Sequence, residues 1–325
     1  MRNIKKQGLI DTARWTCCGA FLCVCFLSLG LELRRIPLPV SATEGTAPTT
    51  QSTTEPPSET PPAPTDESAG SPIVDVELSL SDGSGNILFK NETNKTFDTQ
   101  SMLNSGYPIE PSDSDPAVLI IHSHATECYT DQGETHVTNT RTDDPQKNMV
   151  AVGAVMESQL RENGVNVIHC TVLHDALSYQ QAYVNSAAAV KEYLEKYPSI
   201  KYVIDLHRDA ISTGDGGMAK PTVTHNGTEA AQMMLVVGTD SAGADHPGWK
   251  TNLCVAIHTQ AAMIAEGETL MRPINIRSAS FNQQLSPGYL LLEIGSCANT
   301  LEEAKNSARI FICHCRADAT LRSRE

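Results

Sequence analysis

The sequence predicts an α/β domain built on a mostly parallel sheet with helices on both faces. Three observations carry this. From Ala117 onward, short apolar runs alternate with longer stretches of helical period; the runs are continuously apolar; and three polar motifs each close one of them. A strand that is apolar without alternation is buried on both sides, as in a parallel sheet covered by helices.

The chain ahead of this domain divides by composition. Residues 1–14 hold Arg2, Lys5, Lys6 and Arg14 against one acid, Asp11, and residues 15–31 carry no charge. A membrane anchor over 15–33 is expected, with 1–14 in the cytoplasm and the bulk of the chain outside it. The competing reading is a signal peptide cut after Val40-Ser41-Ala42. Residues 34–72 read as a disordered linker: from Ser41 to Pro72 there are seven prolines, much Thr and Ser, five acids and no Lys or Arg. Such a stretch cannot bury enough apolar surface to offset its chain entropy. Residues 73–325 remain for one well-packed domain.

Formal net charge is -14, which argues against nucleic acid as a partner, because phosphate binding needs clustered Lys and Arg. Of ten cysteines, four lie in the apolar segment, and the other six are scattered without a CxxC pair. Zinc-ribbon spacing is therefore absent, and the scatter points to a reducing habitat.

Within the domain, Val74 to Leu80 alternates as one amphipathic strand in a polar lead-in that runs to residue 115. Val118 to Ile121 reads as a strand. Lys147 to Asn163 reads as a helix closed by Gly164, and Val165 to Ile168 as a strand. Ser178 to Tyr197 is a long helix stopped by Pro198, and Tyr202 to Leu206 a strand. Strand Met233 to Val237, helix Thr251 to Glu266 and strand Leu290 to Ile294 follow. Thr300-Leu301-Glu302-Glu303 forms a capping box that opens the last helix.

The chemistry gathers at three strand ends: HSHATE at 122–127, DLHRD at 205–209 and LLLEIGS at 290–296. In open α/β sheets the carboxyl edge is where ligands bind. Side chains two apart on a strand face the same way, so His122 and His124 are expected to project toward one point, with Glu127 brought beside them by a turn. Imidazole and carboxylate are zinc donors, and a catalytic site uses three of them. Asp205, Asp209 or Thr126 would orient a ligand histidine through its second nitrogen. A lone buried histidine is ordinarily a hydrogen-bonded core group; so many polar groups ending one buried strand are costly unless satisfied together. Glu293, inside an apolar run, is either paired or kept for its shifted basicity as a general base. Arg208 would anchor a substrate carboxylate or pair with Asp209. Asn282, Gln283 and Gln284 are candidates for hydrogen bonds to substrate. Cys313-His314-Cys315 cannot converge on one ion, because successive helical residues diverge by about 100°.

With these motifs and the stretch LLEIGS-x-x-NT-x-EEA, the chain resembles the stage II sporulation protein P family, membrane-tethered N-acetylmuramoyl-L-alanine amidases, over roughly residues 75–315. The resemblance implies a zinc amidase fold with a mixed, mainly parallel sheet flanked by helices, and residues 73–325 as the amidase domain. It makes His122 or His124 and His207 zinc ligands, with Glu127 or Glu134 as the acidic third, and Glu293 the catalytic carboxylate. It further implies peptidoglycan as substrate, a lytic transglycosylase partner in forespore engulfment, and a place at the sporulation septum. Two other readings stand beside it: a metal-free module that binds wall peptides, and a zinc deacetylase of wall sugars.

Overall fold

The structure is a computed structural model that describes residues 70–76, 78, 87–106, 108–109, 116–265 and 270–322. The anchor expected at 15–33 and nearly all of the linker expected at 34–72 lie outside these residues. Among the described residues no helix is long and apolar enough to cross a membrane.

The main sheet has seven strands in the order β2 (Phe89–Asn91), β10 (Ile274–Arg277), β9 (Met233–Gly238), β11 (Tyr289–Ser296), β6 (Tyr202–Asp209), β3 (Val118–Ile121) and β5 (Val167–His169). Every neighbouring pair is parallel except β9 with β11. That single reversal makes the sheet mixed. It also sets the carboxyl ends of β3, β6 and β11 beside the amino end of β9, so more than one chain direction feeds the same edge.

Strand alternation divides the core between two faces. Val118 and Ile120 of β3, with Ile204 and Leu206 of β6, join one large cluster with Met149, Val152 and Met156 of α2 (Met149–Glu162) and Ala304 and Ala308 of α5 (Leu301–Arg322). Leu119, Ile121 and Val203 face the other way, onto Val190 of α3 (Ala182–Lys196). Each such fully buried branched side chain contributes roughly 1.5–3 kcal/mol. α1 (Thr99–Asn104) and α4 (Trp249–Ala265) pack together over the β9 end of the sheet.

Local signals explain most boundaries. Asn148 caps α2 by accepting from Val150 N at 3.0 Å, and Gly164 stops it with φ +80°. The capping box at α5 is present: Thr300 N donates to Glu303 Oε2 at 3.1 Å and Glu303 N to Thr300 Oγ1 at 3.3 Å. In β11 the register with β6 shifts between Glu293 and Ser296, where Gly295 takes φ +69°. A Cβ there would lie 2.7 Å from Asn299 Oδ1 and from Ala231 Cβ, so the bulge demands glycine.

Several elements depart from the sequence reading. The first strand, β1 (Ser71–Val76), starts inside the segment assigned to the linker, and residues 77, 79 and 80 of the expected strand lie outside the described residues. It is held by parallel pairing with β7 (Met218–His225) and an antiparallel contact with β4 (His136–Val137). The hairpin of β7 and β8 (Thr228–Ala231), turned by Asn226-Gly227 with both φ positive, completes a second sheet ordered β4-β1-β7-β8. Neither that hairpin nor β2, β10 and α1 was expected. Their sequences are too short or too polar to show a period.

Candidate active site

β6 places Asp205, His207 and Asp209 on the face opposite to Leu206, and β11 pairs Glu293 directly with His207. The chain leaving β3 turns at once, and the turn carries His124 across to meet them. The rings of His124 and His207 lie 5.5 Å apart between centroids. Glu127 joins this pair, with Oε2 3.6 Å from His207 Nδ1.

Each of the two histidines has a carboxylate at its back. Asp205 Oδ1 is 3.0 Å from His207 Nε2, and Asp175 Oδ2 is 3.7 Å from His124 Nδ1. Neither contact is aligned as a hydrogen bond, and both nitrogens are buried without a partner. Carboxylates in this position fix the ring and raise its basicity as a ligand. Both acids are themselves anchored. Asp205 accepts from Ser123 N, Ser123 Oγ and Tyr289 Oη at 2.8, 2.6 and 3.0 Å. Asp175 accepts from Thr126 N and Oγ1 and from Arg141 at 3.1, 2.6 and 2.7 Å.

Charge follows from these contacts. Burial opposes a charged His207, but Asp205 and Glu127 overcome it and raise its pKa well above the ordinary value. Glu127 resists its own burial through Arg208 and His207, which hold it down to about 2. Burial pushes Glu293 the other way, up to about 8, with His207 and Arg272 pulling it down and Asp209 and Glu127 pushing it up. Its Oε2 is buried and unpartnered. One carboxylate is thus held as an anion beside two imidazoles, while another is tuned near neutrality a strand away, the separation of roles expected of ligand and base.

The donor set of His124, His207 and Glu127 suits a zinc ion chemically. Among the described residues no group of three or more His, Cys, Asp and Glu is placed to hold a metal ion as it stands. What supports the fit is the carboxylate standing behind one nitrogen of each ring, an arrangement that leaves the second nitrogen as the donor; in His207 that second nitrogen is Nδ1, 3.6 Å from Glu127 Oε2.

Other expected residues lie elsewhere. His122 does not face the common point. Alternation at the end of β3 turns it toward α2, where Nε2 meets His169 Nε2 at 2.8 Å and Nδ1 lies 3.3 Å from Leu206 O. Gly153 of α2 makes room for this pair, since a Cβ there would lie 2.5 Å from His169 Nε2 and 2.7 Å from the His122 ring. Burial and His169 lower the pKa of His122 to about 3. Glu134, the rival to Glu127, is exposed in a turn whose N–H bonds Asp131 O at 3.2 Å.

Arg208 is buried and its fork is already engaged. Nε donates to Cys128 O at 3.1 Å and Nη2 to Thr140 O at 2.6 Å, while Nη1 is 3.6 Å from Glu127 Oε1. It fixes the Glu127 loop and does not reach outward for a substrate. Gln283 is spent on the frame, accepting from Gly238 N at 2.8 Å and donating to Val236 O at 2.7 Å. Asn282 donates to Tyr183 O at 2.8 Å and Ser186 Oγ at 3.0 Å. Gln284 is exposed.

The rim holds residues that the sequence did not announce. Tyr179 stacks on His124 at 4.3 Å, the Arg141 guanidinium lies over the Tyr179 ring 4.3 Å from its centroid, and Tyr183 lies nearly parallel to His207 at 6.2 Å. Asp175, Arg141 and Arg272 come from loops without period or motif. The four described free cysteines, Cys128, Cys170, Cys254 and Cys297, are buried.

The family model for stage II sporulation protein P matches residues 42–312 of this chain. The curated stage II sporulation protein P of Bacillus subtilis (strain 168) is 27% identical over 214 residues, covering 62% of this chain and 50% of that protein. The chain thus spans about half the length of that relative. Among solved structures, the N-acetylmuramyl-L-alanine amidase Ami1 from Mycobacterium smegmatis overlaps 64% of this chain and 99% of its own, at 11% identity and TM-score 0.38. The CwlD amidase from Clostridioides difficile, in complex with the GerS lipoprotein, overlaps 63% and 96% at 11% identity and TM-score 0.35. Superpositions this loose leave the fold assignment to the strand order and pairing themselves.

Proposed function

The chain belongs to the stage II sporulation protein P family, and from that membership and the site we propose that it is a zinc-dependent hydrolase of peptidoglycan. The bond cut is the amide between the lactyl group of N-acetylmuramic acid and L-alanine of the stem peptide. The observation that carries this is the meeting of His124, His207 and Glu127 at one sheet edge, with Glu293 paired to His207 on the next strand.

In this reading His124, His207 and Glu127 hold the ion, and Asp175 and Asp205 orient the two rings. Bound zinc lowers the pKa of water toward neutrality and polarises a carbonyl oxygen. Glu293 accepts the proton from the attacking water and delivers it to the leaving amine, a task for which a pKa near the working pH is suited. Tyr179 and Tyr183 wall the rings of His124 and His207, and Arg141 at the rim offers a positive charge toward stem-peptide carboxylates. Tethering through the amino-terminal segment, action at the sporulation septum during engulfment, and division of labour with a lytic transglycosylase belong to the same proposal.

The test is digestion of purified sacculi by the protein, with mass analysis of products. Free stem peptides beginning in L-alanine support the amidase; released acetate would favour the sugar deacetylase. Retention on sacculi without any product, unchanged in E293Q, would favour the binding module.

A further inference from the structure

Arg272 lies on the loop leading into β10, and the chain brings it to the edge where β11 and β6 end. Its backbone N–H donates to Met233 O, and Met271 bridges Met233, next to Met234, which pairs with Glu293. Its Nη2 donates to Asp209 Oδ2 at 2.8 Å, and Asp209 pairs with Ser296 across the bulge. The guanidinium is therefore clamped at backbone and side chain, two residues along β6 from His207.

Arg272 is 8% exposed, yet its Nη1 has no partner; nor has the buried Oε2 of Glu293. No ion pair joins the two residues, although Arg272, reaching from the start of β10 to Asp209 on β6, spans β11, the strand that carries Glu293. An unbonded donor and an unbonded acceptor left together in a packed interior call for a group that can satisfy both. An amide in the act of hydrolysis is such a group: its oxygen gains negative charge and its nitrogen needs a proton.

We propose that Arg272 is a catalytic residue of the hydrolysis assigned above, its Nη1–H donating to the carbonyl oxygen of the scissile amide as that oxygen becomes negative. The inference rests on the hydrolase reading. As the water oxygen bonds the carbonyl carbon, the π pair of C=O moves onto oxygen beside Arg272, and Glu293 takes the proton released by water. The pair then returns to re-form C=O, and the C–N bond breaks with its electrons going to nitrogen, which takes the proton from Glu293. Amide and water become acid and amine, with nothing left over. A cation fixed in advance at a water-poor site stabilises such an oxyanion without reorganisation.

The test uses the full chain loaded with zinc and a soluble muropeptide, comparing wild type with R272A and R272K; R272K keeps a positive charge for Asp209. Expected is a fall in kcat of about a hundredfold to a thousandfold with KM changed far less, in variants whose circular dichroism matches wild type. Guanidinium at millimolar concentration should restore part of the kcat of R272A and none of that of E293Q. A folded variant with wild-type kcat, a loss confined to KM, or failure of both variants to fold would overturn the proposal while leaving the hydrolase reading intact. An inert wild type would overturn both.

Discussion

His124 sits in the turn after β3 and His207 on β6, yet their rings stand 5.5 Å apart at an interplanar angle of 71°. Behind each lies an aspartate, Asp175 and Asp205, and the carboxylate of Glu127 stands 3.6 Å from His207 Nδ1. Two imidazoles and an acid in one packed volume are hard to justify as framework alone, and consequences follow for metal, turnover and stability.

Removing an orienting carboxylate should loosen the ion without removing a ligand. D205N is expected to weaken zinc binding by about 10–100-fold, read by competition with a chromophoric chelator. H207A should leave no measurable site in the same assay. Equal affinity in D205N and wild type would show that Asp205 does not orient His207.

E293Q should keep its zinc and its melting temperature while kcat falls by about 10²–10⁴-fold. Metal content by mass spectrometry and turnover on muropeptide, measured on one preparation, check both halves. Loss of zinc in this variant would move Glu293 from base to ligand.

Gln283 and Arg208 were expected to touch substrate, and their contacts instead make them framework. Q283M strands Gly238 N and Val236 O and should cost about 1–3 kcal/mol of stability, with KM for muropeptide unchanged. A raised KM at unaltered stability would return Gln283 to the substrate.

Acid should destabilise the domain through histidines buried in the neutral form. His246 is 1% exposed, and burial lowers its pKa below 6.5 in spite of its bond to Asn252. The unfolded chain then binds the proton more readily, so this stability is present above about pH 6.5 and declines as pH falls below it. Thermal melts from pH 8 to 5 should show the midpoint falling, with a shallower decline in H246Q. Identical slopes would discount His246.

What could be read from the sequence followed physical period. β3, β6, β9 and β11 announced themselves as continuous apolar runs, and α2 and α5 by spacing and caps. The motifs at the ends of β3, β6 and β11 named His124, Glu127, His207 and Glu293, all of which the fold gathers. His122 misled because same-face spacing holds only while the chain stays extended, and it turns immediately after Ile121. Asp175, Arg141 and Arg272 carry no local mark; their place depends on where loops land. The one reversed neighbour, β9 beside β11, likewise cannot be read from residues in order, though it is what brings Arg272 to the site.

The most direct measurement is anomalous diffraction at the zinc edge from crystals of the zinc-soaked protein. A single strong peak about 2.0–2.2 Å from a nitrogen of His124, a nitrogen of His207 and an oxygen of Glu127 is the predicted result. A peak between His122 and His169 instead, or none near His207 at full zinc occupancy elsewhere, would contradict it.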